Sequence, residues 1–136
     1  MQGAVEVLFV ENRVFVAGVR YALRAPTHGT RIGIIKTGGN HVYVLPLDGS
    51  PVHDLTVVGW SGFNTFDWSV DGKGFFISNT TGLGSTQLFV DLNGKAHPLW
   101  KQKSSPYAWG VPSPDGRRLA LLGQDFNSNM RMIENF

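Results

Sequence analysis

A hydroxyl and a carboxylate lie close together near the end of the sequence, in Ser113-Pro114-Asp115-Gly116 within "WGVPSPDGRRLALLG" (109–123). A serine beside an acid raises the question of nucleophilic catalysis. Serine hydrolases present their nucleophile in a G-x-S-x-G turn that leads into a helix, with a base nearby. Neither that turn nor an obvious base accompanies Ser113 or its counterpart Ser69. The sequence therefore predicts no catalytic residue here, and we interpret the motif as a structural turn.

The histidines give no stronger signal for chemistry. None of the four is spaced as in H-x-x-x-H, and the chain has no cysteine. They are His28, His41, His53 and His97. A metal held between sheets in a central channel remains an alternative, because residues distant in sequence can meet there. The sequence itself predicts no metal ligand and no cofactor.

Composition limits the class of protein. Only 16% of the 136 residues are charged, against about 25% in a typical domain, whereas 17 are glycine and 12% are aromatic. Such a chain suits short strands joined by tight turns. A net charge of +2 is too small to indicate nucleic-acid binding. The N-terminal segment lacks the features of a signal peptide or membrane span, so we expect a cytoplasmic protein with no nucleic-acid or membrane partner.

The turn motif belongs to an internal repeat. Ser69-Val70-Asp71-Gly72 matches Ser113-Pro114-Asp115-Gly116, with the two glycines 44 residues apart. Each is followed by a basic residue, an apolar strand, a polar loop and another strand. Residues 31–57 form a third, degenerate copy, in which Gly49 precedes the matching Gly94 by 45 residues. A period of roughly 40–45 residues with several short strands is typical of β-propeller blades.

Four segments follow from this period. Residues 1–18 form a strand pair around Glu11-Asn12, 19–57 the first blade, 64–101 the second, and 107–136 a third that lacks its outer strand. The predicted blade strands are 19–25, 31–36, 41–47 and 51–57, then 64–69, 74–79, 86–92 and 96–101, and last 107–112, 118–123 and 129–135. The sequence thus predicts an all-β, propeller-like fold of about three four-stranded blades in one partial domain.

Three motifs carry a resemblance to a known family. They are Trp68-Ser69-Val70-Asp71-Gly72-Lys73, Leu88-Phe89-Val90-Asp91-Leu92-Asn93-Gly94 and Pro112-Ser113-Pro114-Asp115-Gly116-Arg117. Residues 19–136 resemble the TolB-like β-propeller repeat, a WD-type repeat, and look like the C-terminal blades of bacterial proteins in which a propeller follows a kinase or winged-helix domain. The resemblance implies a sensing or interaction surface and no chemistry of its own. Nothing in the chain resembles a kinase signature or a recognition helix.

The number of blades departs from that family. Closed propellers have roughly four to eight blades, so three would leave sheet faces and strand edges in water, where they invite pairing with another chain. We therefore expect a homodimer that closes a six-bladed ring. Residues 5–10 would pair beside strand 129–135 of the partner. The alternative is that the chain is a fragment of a larger propeller.

Five residues are candidates for binding. Trp60, Phe63 and Tyr107 precede the inner strands and are predicted to form a rim or channel surface. Asp67 lies in an inner strand, where it could face the channel, and Trp109 is placed as a wedge between blades. The alternative for the aromatic residues is a role in the core between blades, which is common for aromatic side chains at strand spacing.

These residues favour a non-enzymatic module that binds proteins or senses ligands. Its partner could be protein, peptide or small molecule, in addition to a second copy of the chain. Two alternatives stay open: a propeller hydrolase or lyase with its site in the central channel, and a remnant of a larger regulatory protein. An enzyme would gather acids and histidines at the starts of the inner strands, where only Asp67 and His28 qualify.

Overall fold

A computed structural model describes residues 7–10, 13–16, 21–24, 30–103, 107–124 and 132, the first three ranges by backbone alone. Every secondary-structure element in these ranges is a β-strand. The strands are β1 (Val7–Val10), β2 (Arg13–Val16), β3 (Tyr21–Arg24), β4 (Arg31–Lys36), β5 (His41–Pro46), β6 (His53–Thr56), β7 (Phe63–Trp68), β8 (Gly74–Thr81), β9 (Gly84–Asp91), β10 (Ala96–Lys103), β11 (Tyr107–Pro112) and β12 (Leu119–Gln124).

The strands form antiparallel sheets in chain order. The first sheet is β3-β4-β5-β6 and the second is β7-β8-β9-β10, each a four-stranded meander. The third sheet contains β11 and β12, and a separate hairpin pairs β1 with β2. This architecture confirms the predicted all-β fold with propeller-like sheets. The predicted strand at 129–135, and its pairing with residues 5–10, lie outside the described residues.

The first and second sheets share an apolar core. Gly33 of β4 makes the closest approach, because a Cβ at this position would lie 2.9 Å from Phe66 Cε2 and 3.2 Å from Phe75 Cε1. The lack of a side chain on one sheet makes room for aromatic rings on the other. The buried core residues are Ile35, Val42, Val44, Val57, Phe63, Phe66, Trp68, Phe75, Ile77, Leu88 and Val90.

The second and third sheets meet through polar groups instead. Thr65 Oγ1 shares a 2.6 Å hydrogen bond with Ser78 Oγ and donates to the carbonyl oxygen of Ala108 at 3.2 Å. Beside them, the fully buried Gln87 lies against Gly110 of β11. The two faces of the second sheet therefore differ. The face toward the first sheet is apolar, whereas the face toward the third carries these polar groups beside the rings of Phe76 and Phe89.

Candidate functional site

The repeated Ser-x-Asp-Gly turns are structural. Ser69 Oγ donates to Asp71 Oδ1 at 2.7 Å and accepts from the amide of Gly74 at 3.0 Å. Gly72 has a φ of +67°, a left-handed conformation that glycine adopts without strain. The turn at Ser113 repeats these contacts. Each serine hydroxyl is thus engaged within its own turn, as the interpretation of the motif as scaffolding requires.

The acids of these turns are held in their ionised form. The hydrogen bond from the Ser69 hydroxyl, then that from the Lys73 amide, lowers the pKa of Asp71 below 3.8. The Ser113 hydroxyl and the Arg117 amide lower the pKa of Asp115 in the same way. A carboxylate whose pKa is lowered is a poor general acid at neutral pH. These residues therefore act as turn caps, not as proton donors.

Two of the predicted binding residues belong to the core. Phe63 begins β7 and is fully buried between the first two sheets. It therefore belongs to the core and does not form the predicted rim or channel surface. The chain at Phe63 is fixed by the Gly38–Gly39 turn, because Gly38 N donates to Phe63 O at 2.7 Å and Phe63 N donates to Gly39 O at 3.2 Å. Trp60, in the preceding loop, is half-buried and packs against the same core.

Asp67 and Trp109 lie on different sheets. Asp67 is half-buried in β7, and its Oδ1 accepts a hydrogen bond from the Trp68 amide at 2.9 Å. Trp109 is half-buried in β11 between Ala108 and Gly110, both of which are buried against the second sheet. Because side chains alternate along a strand, Trp109 points away from that sheet. Gly110, and not the Trp109 ring, fills the position between these two sheets.

One face of the third sheet is apolar and exposed. Trp109 pairs with Leu122 and Val111 with Ala120, so their side chains share a face with Tyr107. The exposed fraction is 66% for Leu122, 51% for Tyr107 and 42% for Val111. We call these five residues the open face. It includes two predicted residues, Tyr107 and Trp109, and it gathers them with three that the sequence reasoning did not single out.

A smaller apolar cluster covers the far side of the first sheet. Ile32 is buried, and Ile34 and Leu45 pack against it as half-buried side chains. Ile32 and Ile34 alternate with Gly33, which contacts the second sheet, so they point away from that sheet. The stack of three sheets thus has apolar side chains at both of its ends.

The described ranges offer little for a metal site or a membrane span. They contain no group of three or more His, Cys, Asp or Glu side chains that could hold a metal ion. His41 Nδ1 lies 2.8 Å from Asp54 Oδ1, but this pair is exposed on the surface of the first sheet. No helix that could cross a membrane is present in the same ranges.

Comparison with known proteins yields little. No protein-family model matches the sequence, and no curated protein matches it either. A solved structure from Bacteroides fragilis, provisionally named a 6-phosphogluconolactonase, is similar with a TM-score of 0.49 and 20% identity. The match covers 74% of this chain and 31% of that one, so the chain spans about a third of the length of its neighbour. A likeness this low assigns neither family nor activity.

Proposed function

We propose that this protein is a non-enzymatic interaction module that self-associates, with two copies completing one propeller ring. The open face carries the proposal. The corresponding face of the second sheet is covered by the third sheet, whereas the same side of the third sheet exposes Leu122, Tyr107 and Val111. Contiguous exposed apolar side chains on a soluble protein are typical of interaction surfaces.

The two ends of the stack are both apolar, so one can pack against the other. One end is the open face, and the other is the cluster of Ile32, Ile34 and Leu45 on the first sheet. If the open face of one copy packs on the first sheet of the other, the same contact forms twice. Two equal contacts related by a two-fold axis close the assembly, which is the commonest symmetry of homo-oligomers. The three sheets of each copy would then form a six-bladed ring.

The edge of the third sheet favours the same arrangement. Among the described strands, β12 is hydrogen-bonded to β11 alone. A strand at the edge of a sheet pairs readily with another strand, and the β1–β2 hairpin is a two-stranded unit separate from the four-stranded sheets. We propose that the hairpin of each copy adds to the third blade of its partner, beside the strand predicted at 129–135.

We also propose that the sheets are TolB-like repeats. The support is that the turns at Ser69 and Ser113 are 44 residues apart and have the same contacts: a hydroxyl donating to the following Asp, and an amide donating back to the hydroxyl. In this view the module serves recognition, and partners beyond a second copy bind the assembled ring.

Co-expression of two differently tagged copies tests the self-association. We expect capture of one tag to recover the other copy. Leu122→Lys should abolish this recovery, because a charge at the centre of the apolar contact would be buried without a partner. Leu83→Lys is the matched control: Leu83 is 82% exposed in the β8–β9 turn of the second sheet, which forms neither end of the stack. Failure to recover the second copy with the wild-type chain would refute the proposal.

A further inference from the structure

We propose that a cavity between the first and second sheets binds a small organic acid through its carboxylate. The cavity has a volume of about 210 Å³. Five of its lining residues come from the first sheet and one from the turn after β9. The lining residues are Arg31, Val44, Pro46, His53, Leu55 and Leu92. No function assigned above uses this cavity.

Arg31 is fixed at the cavity by contacts with the second sheet. Its Nη2 donates to the carbonyl oxygen of Gly72 at 3.1 Å, and its guanidinium lies 5.2 Å from the centre of the Trp68 ring. Stacking on an aromatic ring and a backbone hydrogen bond together restrict the side chain to one orientation. The cation is therefore already in place before any ligand arrives, which reduces the entropy lost on binding.

The charge of Arg31 has no acidic partner in the described part of the chain. Among the described residues, no carboxylate lines the cavity, and the guanidinium donates to Gly72 O. A guanidinium has five N–H donors, of which the described residues take one. Arg31 is half-buried, and removing a cation from water without a counter-charge is costly. An anion in the cavity would offset this cost.

The other lining residues determine which organic group can accompany the carboxylate. Val44, Leu55 and Leu92 present aliphatic surface, and Leu55 and Leu92 also pack against the core. His53 is exposed beside them and offers ring nitrogens to a polar ligand. A cavity below the roughly 300–1,000 Å³ of typical ligand sites holds only a small molecule. A monocarboxylate with a short branched aliphatic chain matches the cation, the apolar walls and the volume.

The proposal does not depend on self-association. The lining residues that the structure describes belong to the first sheet or the turn after β9, and none of them comes from β11 or β12. The cavity is formed within one copy. A monomeric protein could bind the acid, and a dimer could form without it, so failure of one proposal leaves the other standing.

An NMR titration of the full chain tests the proposal. The probe is 4-methylvalerate, and the matched probe is its uncharged amide, 4-methylvaleramide. We expect the acid to shift the backbone amide signals of Arg31, Val44 and Leu55, with a Kd of roughly 0.1–10 mM for so few atoms. The amide should bind at least about 10-fold more weakly, because it cannot form the charge-assisted pair with the guanidinium.

A charge placed at the cavity provides the second arm. His53→Asp introduces a carboxylate at an exposed position, where it can pair with Arg31 and compete with the ligand. We expect affinity for the acid to fall at least about 10-fold, since a fixed counter-charge removes the attraction for an anion. Thr81→Asp is the control: it makes the same change in charge at the β8–β9 turn, and its carboxylate can still accept the hydrogen bond from the Leu83 amide.

The relative affinities for acid and amide, in the wild type and the two variants, decide whether Arg31 binds the carboxylate. Tighter binding of acid than amide, lost in His53→Asp and kept in Thr81→Asp, supports the proposal. Equal binding of acid and amide would show an apolar cavity without anion selectivity and would overturn it. Wild-type affinity in His53→Asp, or loss in both variants, would also overturn it, because the acid would then respond to something other than the charge at Arg31.

Discussion

Gln87 and Gly110 are in direct contact across the second and third sheets. A Cβ on Gly110 would lie 2.8 Å from Gln87 Cδ and 2.9 Å from its Oε1. Gly110 stands 44 residues after Phe66, the residue that contacts Gly33 of the first sheet. Equivalent positions of the repeat thus carry a phenylalanine at the first contact between sheets and a glycine at the second. The facing residue is the small one in the first contact, Gly33, and the large one in the second, Gln87.

Gly110→Ala should destabilise the protein. The new methyl group would lie 2.8 Å from the amide end of Gln87, a fully buried side chain that must shift to admit it. Overpacking that a side chain can relieve in this way costs about 1 kcal/mol. Urea unfolding followed by tryptophan fluorescence measures the effect. Gly82→Ala is the control, because a Cβ at Gly82 meets nothing within 4 Å. Equal stability of the two variants would contradict the contact.

Gln87→Ala should rescue part of that loss. Truncating Gln87 removes the atoms that the Gly110→Ala methyl group meets, so the double variant should be more stable than the sum of the single effects predicts. Residues in contact show coupling energies of about 0.5–3 kcal/mol. The same urea experiment on all four proteins gives the coupling. Strict additivity would mean that the two residues do not touch in solution.

Ser69→Ala should destabilise the fold more than Ser113→Ala does. Ser69 Oγ accepts from the amide of Gly74, which is buried, whereas Ser113 Oγ accepts from the amide of Arg118, which is exposed to water. Leaving a buried amide without its acceptor costs about 1–3 kcal/mol, and water can replace the acceptor at Arg118. Urea unfolding of both variants compares them directly. A larger loss of stability in Ser113→Ala than in Ser69→Ala would contradict the argument that the buried amide depends more on its serine acceptor.

The lowered pKa of Asp71 predicts how acid affects stability. The hydrogen bond from Ser69 holds the folded pKa below its ordinary value of 3.8. A depressed pKa stabilises the fold above 3.8, and this contribution is lost as the pH falls through the lower folded value. Asp71→Asn should therefore be less stable than wild type at pH 6, with a gap that narrows below pH 3.8. A gap that widens on acidification would contradict this sign.

The sequence was sufficient for the architecture because its turns repeat. The 44-residue spacing between Gly72 and Gly116 predicted the sheets, and both turns have the expected glycine conformation. The positions of individual side chains are harder to predict from the sequence. Period-two alternation says that Trp109 and Gly110 face opposite ways, but it does not say which face meets the second sheet. The sequence pattern places Phe63 in the loop before β7, because nothing local indicates that the Gly38–Gly39 turn fixes the start of this strand.

The open face was missed for a related reason. Val111 and Leu122 stand 44 residues after Asp67 and Ser78, which lie on the face of the second sheet that the third sheet covers. Their exposure arises because no described strand covers them. Whether such a face is buried depends on the neighbouring sheet and not on its own residues, which is the basis for assigning it to a second copy.

Sedimentation velocity across a concentration series tests that assignment most directly. The chain has a mass of 14.9 kDa, so the ring of two copies has twice that mass, 29.8 kDa. Wild-type protein should sediment as this dimer, and Leu122→Lys should sediment as a folded monomer. Wild-type protein that remains a folded 14.9 kDa monomer at the highest concentration would contradict the proposed self-association.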